Sequence, residues 1–332
     1  IHNGHYSNGS GCGNDTATER SMVHKYIVDS VLYWADEYHI DGFRFDLVGL
    51  IDIDTINELV ATVRAKHPNV IFYGEGWSMG TELTKPDVTL ATQHNAWQTP
   101  NFAYFSDMFR DVLRGCIFDD YAWGYVAGAQ GLEEALKACF MARADWCPGP
   151  TQTINYASCH DNLSLFDRLT QSVPDAGFAE RARMNNLAAA IYLLSQGVPF
   201  MQAGEEMLRS KPLPDGGFAS NSYCSPDAVN AIKWNHLRNP QYAAAADYYR
   251  GLIAFRKAHP TLRLTTREAV REQVHTIEGL EPNVVGFHLR SCADDPAAAI
   301  IVIYNPNKTP TTVALPQGRW NICIADKTAG TE

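Results

Sequence analysis

The sequence predicts an α/β chain built as a parallel barrel followed by a small all-β region, and three observations carry that prediction. Strand-like and helix-like segments alternate through residue 260. Polar side chains collect at the C-terminal ends of the strand-like runs. Beyond Pro260 the texture changes to short alternating runs separated by turn residues.

From Asp15 onward, Val23, Tyr26, Ile27, Ser30, Val31 and Trp34 recur at helical spacing, which predicts an amphipathic helix ending near His39. The run Gly42–Val48 reads as a strand, and Ile53–Lys66 as a second helix stopped by Pro68. Val70–Gly74 is the next strand, closed by Glu75-Gly76-Trp77. Further apolar runs fall at Asn101–Ser106, Thr151–Ser158 and Val198–Ala203, with helical stretches at Leu132–Ala142 and Ala179–Leu194. The runs are continuously apolar, as parallel strands buried on both faces are. After Pro260, Val284–Leu289, Ala299–Tyr304 and Thr311–Leu315 read as strands, with a turn at Asn305-Pro306-Asn307.

An open doubly wound sheet would show the same alternation, so the polar residues decide. Asp46, Glu75, His160-Asp161 and Glu205-Glu206 stand at or just past the ends of successive runs, the face where parallel barrels gather their chemistry. No G-x-G-x-x-G follows a strand, and the barrel is favoured.

Of 332 residues, 45% are hydrophobic and 19% charged, which is enough apolar matter for a large core and excludes general disorder. A formal net charge of −10 repels polyanions, so nucleic acid is not an expected partner. No stretch reaches the roughly 18 apolar residues that span a bilayer, and no membrane partner is expected. The eight cysteines form no C-x-x-C and no dense framework, which points to free thiols and a cytoplasmic protein.

Two carboxylates at adjacent strand ends are what glycoside hydrolysis uses, one to attack the sugar and one to protonate the leaving oxygen. Strand alternation puts Arg44 on the same side as Asp46, where its charge would hold the carboxylate ionised. Glu75 lies between Tyr73 and Trp77, and desolvation there would suit a general acid. His160-Asp161-Asn162 offers a donor, a third carboxylate and an amide for gripping sugar hydroxyls. Each feature also has a bland reading: Arg44-Asp46 as a structural ion pair, Trp77 as core, His160 as a satisfied buried histidine. Their convergence on three strand ends favours function. No histidine or cysteine spacing completes a metal site around His160, and no cofactor is expected. Structural calcium is left open.

Asp41-Gly-Phe-Arg-Phe-Asp46, Tyr73-Gly-Glu-Gly-Trp77 and Ser158-Cys-His-Asp-Asn162 resemble, in order, three conserved regions of the α-amylase superfamily, glycoside hydrolase family 13. Tyr6–Asp15, Asn101–Asp107, Gly204-Glu-Glu-Met207 and Asn221–Asp227 resemble more narrowly the type I pullulanases, the starch-debranching members. The likeness runs along essentially the whole chain.

The resemblance implies a (β/α)8 TIM-type barrel of which these runs are strands four to eight, at residues 1–260, and the beginning of a C-terminal β-sandwich at residues 261–332. It implies Asp46 as nucleophile, Glu75 as acid/base and Asp161 as transition-state stabiliser. Arg44, Trp77, His160, Asn162, Asn221 and Asp227 are the implied substrate-binding residues. The implied substrate is an α-glucan cut at α-1,6 bonds, as in pullulan, amylopectin, glycogen or limit dextrins. The superfamily's Asp-x-x-x-Asn-His strand end is absent. The segment is therefore expected to need an N-terminal half of the barrel as its partner. Two alternatives stay open: an α-1,4-cleaving amylase or neopullulanase, and a non-catalytic glucan-binding fragment.

Overall fold

The computed structural model describes residues 4–83 and 87–331 and divides into two units, Ile1–Phe105 with Ala144–Ile154, and Ser106–Arg143 with Asn155–Glu332. The first unit begins with helix α1 (Ser21–Tyr38), ended by His39 in the left-handed conformation at φ 54°. Strand β1 (Gly42–Phe45) follows, then helix α2 (Ile53–Arg64), strand β2 (Ile71–Gly74), strand β3 (Ala103–Phe105) and strand β4 (Thr153–Asn155). These four strands lie parallel in sequence order, so each return is a crossover and α2 covers the sheet between β1 and β2.

Why α2 forms is plain from its ends and its face. Asp52 caps the free N–H of Thr55 at 2.8 Å, and Asp54 and Arg64 complement the helix dipole at the two ends. Ile53, Ile56, Leu59, Val60 and Val63 are buried in one core with Phe72, Phe102 and Tyr104. In α1 the buried residues are Val28, Val31 and Ala35, while Tyr26 and Trp34, which share the helical spacing of Val31, are exposed. Tyr26 lies two residues before Val28, about 200° away around a helix, and faces solvent.

The second unit carries α3 (Asp107–Arg114), α4 (Glu133–Phe140), α5 (Leu165–Ser172), α6 (Phe178–Leu194), β5 (Val198–Pro199), the single turn α7 (Asp227–Asn230) and α8 (Pro240–Ala258). Just beyond β5, the Phe200 N–H donates to the Asn155 carbonyl at 2.8 Å. Helix α9 (Arg267–Gln273) leads into an antiparallel sheet of β6 (Val274–Ile277), β7 (Val285–Arg290) and β8 (Ala299–Tyr304). A hairpin of β9 (Ile324–Ala325) and β10 (Thr328–Ala329) ends the chain's regular structure. One core joins helices and sheet, with the Phe140 and Phe287 rings stacked at 3.7 Å between centroids.

The α/β class with a following antiparallel region matches the sequence reading. Two details differ. Thr311–Leu315 forms no strand, because Pro310 and Pro316 bracket it without ladder N–H groups and Leu315 is exposed. Strand β6 was not foreseen, since it leaves α9 with no intervening turn signal.

Candidate active site

In the first unit, register sets the site. Phe45 pairs with Gly74 across β1 and β2, so the next residues, Asp46 and Glu75, stand side by side at the strand ends. The Glu75 N–H donates to the Phe45 carbonyl at 3.1 Å, and the Glu75 carbonyl accepts the Gly49 N–H at 3.0 Å. Carboxylate oxygens of the two acids come within 4.8 Å of each other.

Arg44 occupies the space between them. One terminal nitrogen of its guanidinium lies on Asp46 Oδ1 and the other donates to Glu75 Oε1 at 2.6 Å. The guanidinium rests over the Phe105 ring, 5.7 Å from its centroid, and Tyr73 meets the same ring edge-on. A planar fork on an aromatic face has little freedom to turn, so both acids are held by one cation. The sequence reading placed Arg44 beside Asp46; its bond to Glu75 was not foreseen.

Exposure separates the two acids. Glu75 is only 4% exposed, whereas the Asp46 side chain is 65% exposed. Glu75 Oε2 also accepts the Leu47 N–H at 3.2 Å. That bond needs Leu47 at φ 46°, a left-handed conformation that a branched residue pays for in strain. Trp77 is half-buried. Its carbonyl crowds Gly49, where an added Cβ would sit 2.2 Å from the oxygen.

In the second unit, His160 and Asp161 are exposed and Asn162 half-buried in a turn after Ser158, with His160 Nε2 3.4 Å from Asp161 Oδ1. Asn162 turns the chain at φ 64°. Asn221 and Asp227 are exposed in and beside the loop that enters α7, away in sequence from that turn.

Beneath the turn lies a buried polar group that the sequence reading did not assign. Glu205 Oε2 accepts the Ser158 hydroxyl at 2.6 Å, while Oε1 accepts Tyr192 at 2.8 Å and Tyr249 at 3.0 Å. Burial pushes the Glu205 carboxyl above its ordinary value, opposed by these three hydroxyls and the charge of Arg114. Burial likewise pushes Arg114 down to about 10. The signal available in the sequence was Glu205-Glu206 past an apolar run. The tyrosines gave none, because α6 and α8 bury them among apolar neighbours.

Comparison with known proteins follows the same outline. Residues 12–247 match the alpha amylase catalytic domain, and residues 270–328 match the pullulanase all-beta domain. A pullulanase of Bacillus subtilis (strain 168) is 35% identical over 317 residues, covering 93% of this chain and 43% of that protein. Pullulanase from Bacillus acidopullulyticus superposes with a TM-score of 0.90 at 39% identity, over 98% of this chain and 40% of the other. The Paenibacillus barengoltzii pullulanase, solved with maltohexaose and alpha-cyclodextrin, superposes with a TM-score of 0.89 at 39% identity, over 95% of this chain and 49% of the other. The chain thus spans less than half the length of each of these relatives.

Proposed function

Since the chain belongs to the α-amylase catalytic family, on its pullulanase branch, we propose that it supplies the catalytic acids of a retaining hydrolase of α-1,6-glucosidic bonds. The observation that carries this reading is the Asp46–Glu75 pair, with oxygens within 4.8 Å and a shared guanidinium. Retaining glycosidases hold their two carboxyl groups about 5–5.5 Å apart, too close for a water to enter between acid and sugar and close enough for direct attack.

Asp46, the exposed acid, attacks the anomeric carbon as the buried Glu75 delivers its proton to the glycosidic oxygen. The leaving glucan departs with that proton, and a glycosyl ester forms on Asp46. Glu75, now a carboxylate, takes a proton from water, whose oxygen displaces Asp46 and regenerates both acids. Asp161 stabilises the positive charge of the transition state. Arg44 and His160 contact the nucleophile and the ring of the sugar being cut, Trp77 stacks on the sugar beyond it, and Asn162, Asn221 and Asp227 complete substrate contacts. An α-glucan bound as maltooligosaccharide is the partner.

Residues 1–260 form the catalytic portion in this reading and residues 261–332 the start of the sandwich. A further N-terminal half of the barrel completes the enzyme. In support, β1 is the edge of its sheet among the described residues, and α1 exposes Met22, Tyr26, Tyr33, Trp34 and Tyr38. Among those residues no helix is long and apolar enough to cross a membrane. The eight free cysteines favour a cytoplasmic location, which cell fractionation tests.

The decisive experiment uses the polypeptide with its complete barrel. Asp46→Asn and Glu75→Gln should each remove nearly all hydrolysis of pullulan, and only the first should abolish covalent trapping by a fluorinated sugar. Maltotriose as product supports α-1,6 cleavage; panose would replace that specificity with α-1,4. Full activity in either variant would refute the assignment.

A further inference from the structure

The geometry points to Glu205 as a positioning residue for the Ser158–Asp161 strand end. This inference rests on the proposed role of Asp161 and adds the part that holds it.

An exposed carboxylate that must meet a transition state needs a backbone that does not wander. Asp161 and His160 are more than half exposed at the side chain, with His160 Nε2 3.4 Å from Asp161 Oδ1. Their backbone is held from below. Ser158 is fully buried three residues earlier, and its hydroxyl has Glu205 Oε2 as acceptor at 2.6 Å. The next carbonyl, that of Cys159, accepts the Gln202 amide from the same loop as Glu205. On the far side of the turn, Arg114 donates to the Leu163 carbonyl at 2.6 Å. The turn is pinned at 158, 159 and 163, leaving 160–162 to project.

Glu205 is itself immobilised. Tyr192 from α6 and Tyr249 from α8 both donate to Oε1, and the Asn185 amide donates to the Tyr249 hydroxyl at 2.9 Å. One oxygen therefore anchors the carboxylate to two helices while the other holds Ser158.

Ser158→Ala tests the link, because it deletes one hydroxyl and leaves the tyrosine anchor intact. The variant is made in the complete-barrel enzyme and compared with Tyr304→Phe, which loses a buried hydroxyl bonded to the Ala190 carbonyl at 3.3 Å. Ser158→Ala should lower kcat on pullulan about tenfold to a hundredfold with KM within about twofold, since misplacement by an ångström costs rate rather than binding. Amide exchange across 160–162 should quicken about tenfold or more. Tyr304→Phe should change neither. Wild-type exchange across 160–162 in Ser158→Ala overturns the inference, as does quickened exchange with unchanged kcat. Asp161→Asn then tells the two readings apart: if it loses activity the functional reading stands without the positioning one.

Discussion

Arg44 donates to Glu75 Oε1 at 2.6 Å with one arm of its guanidinium and holds Asp46 with the other, so a single cation sets the spacing of two acids on neighbouring strands. The carboxylate oxygens it joins lie within 4.8 Å of each other.

Arg44→Lys keeps the charge and loses the fork. A lysine ammonium is a point charge that cannot reach both carboxylates in the plane above Phe105. Hydrolysis of pullulan should fall about a hundredfold in kcat, the scale for losing one preorganised electrostatic contact. Steady-state kinetics check this, and a kcat within twofold of wild type would show that charge alone suffices.

Gly49→Ala should damage the site through the backbone. A Cβ there lies 2.2 Å from the Trp77 carbonyl, and no rotamer relieves a clash with main chain. The Glu75–Trp77 segment must shift, at about 1–3 kcal/mol of stability. Gly80→Ala, with nothing within 4 Å of its added Cβ, is the matched control. Urea unfolding midpoints that agree for the two variants would contradict the close approach.

Asp52→Ala removes the N-cap of α2, where the carboxylate accepts both the N–H and the hydroxyl of Thr55. The expected loss is about 1–2 kcal/mol at neutral pH. Burial opposes ionisation of Asp52, yet bonds from Thr18 and Thr55 hold its carboxyl below the ordinary value. A depressed folded value stabilises the fold above the unfolded value of about 4 and loses that contribution as pH falls through the folded one. The deficit of the variant should therefore shrink in acid below about pH 4. Equal deficits at pH 7 and in strong acid, read from urea midpoints, would mean that the ionised Asp52 carboxylate does not cap α2.

What could be read from the sequence depended on distance along the chain. The helix α2 and strands β1 and β2 were legible because each carries its own period, cap and apolar face within about a dozen residues. Asp46 and Glu75 were legible as strand-end acids for the same reason. The Arg44–Glu75 bond was not, since it depends on Phe45 pairing with Gly74 in one register, which no local pattern reveals. Helical spacing in α1 marked its apolar positions but not which of them are covered, Val31 being buried and Tyr26 and Trp34 exposed. Ser158, Glu205, Tyr192 and Tyr249 come together from four places along the chain, and nothing local distinguishes their hydroxyls from other buried ones.

Glu205→Gln extends the buried cluster to a measurable dependence on pH. Burial raises the folded value of this carboxyl against the pull of Ser158, Tyr192, Tyr249 and Arg114, so between its unfolded value and the raised one the folded state binds more protons than the unfolded state. Stability must then decline with rising pH across that interval: the contribution is complete below about 4.3 and is lost as pH passes the folded value. Glutamine keeps the shape and cannot titrate. The difference in unfolding free energy between wild type and Glu205→Gln should therefore move in favour of the variant as pH climbs from about 4 toward neutrality, while the amide, placing a donor where an acceptor stood, still costs kcat by disturbing Ser158. Chemical denaturation at closely spaced pH values follows the first effect and turnover of pullulan the second. A flat difference across that range would mean that Glu205 titrates alike in both states, and the cluster would then be an ordinary hydrogen-bonded core.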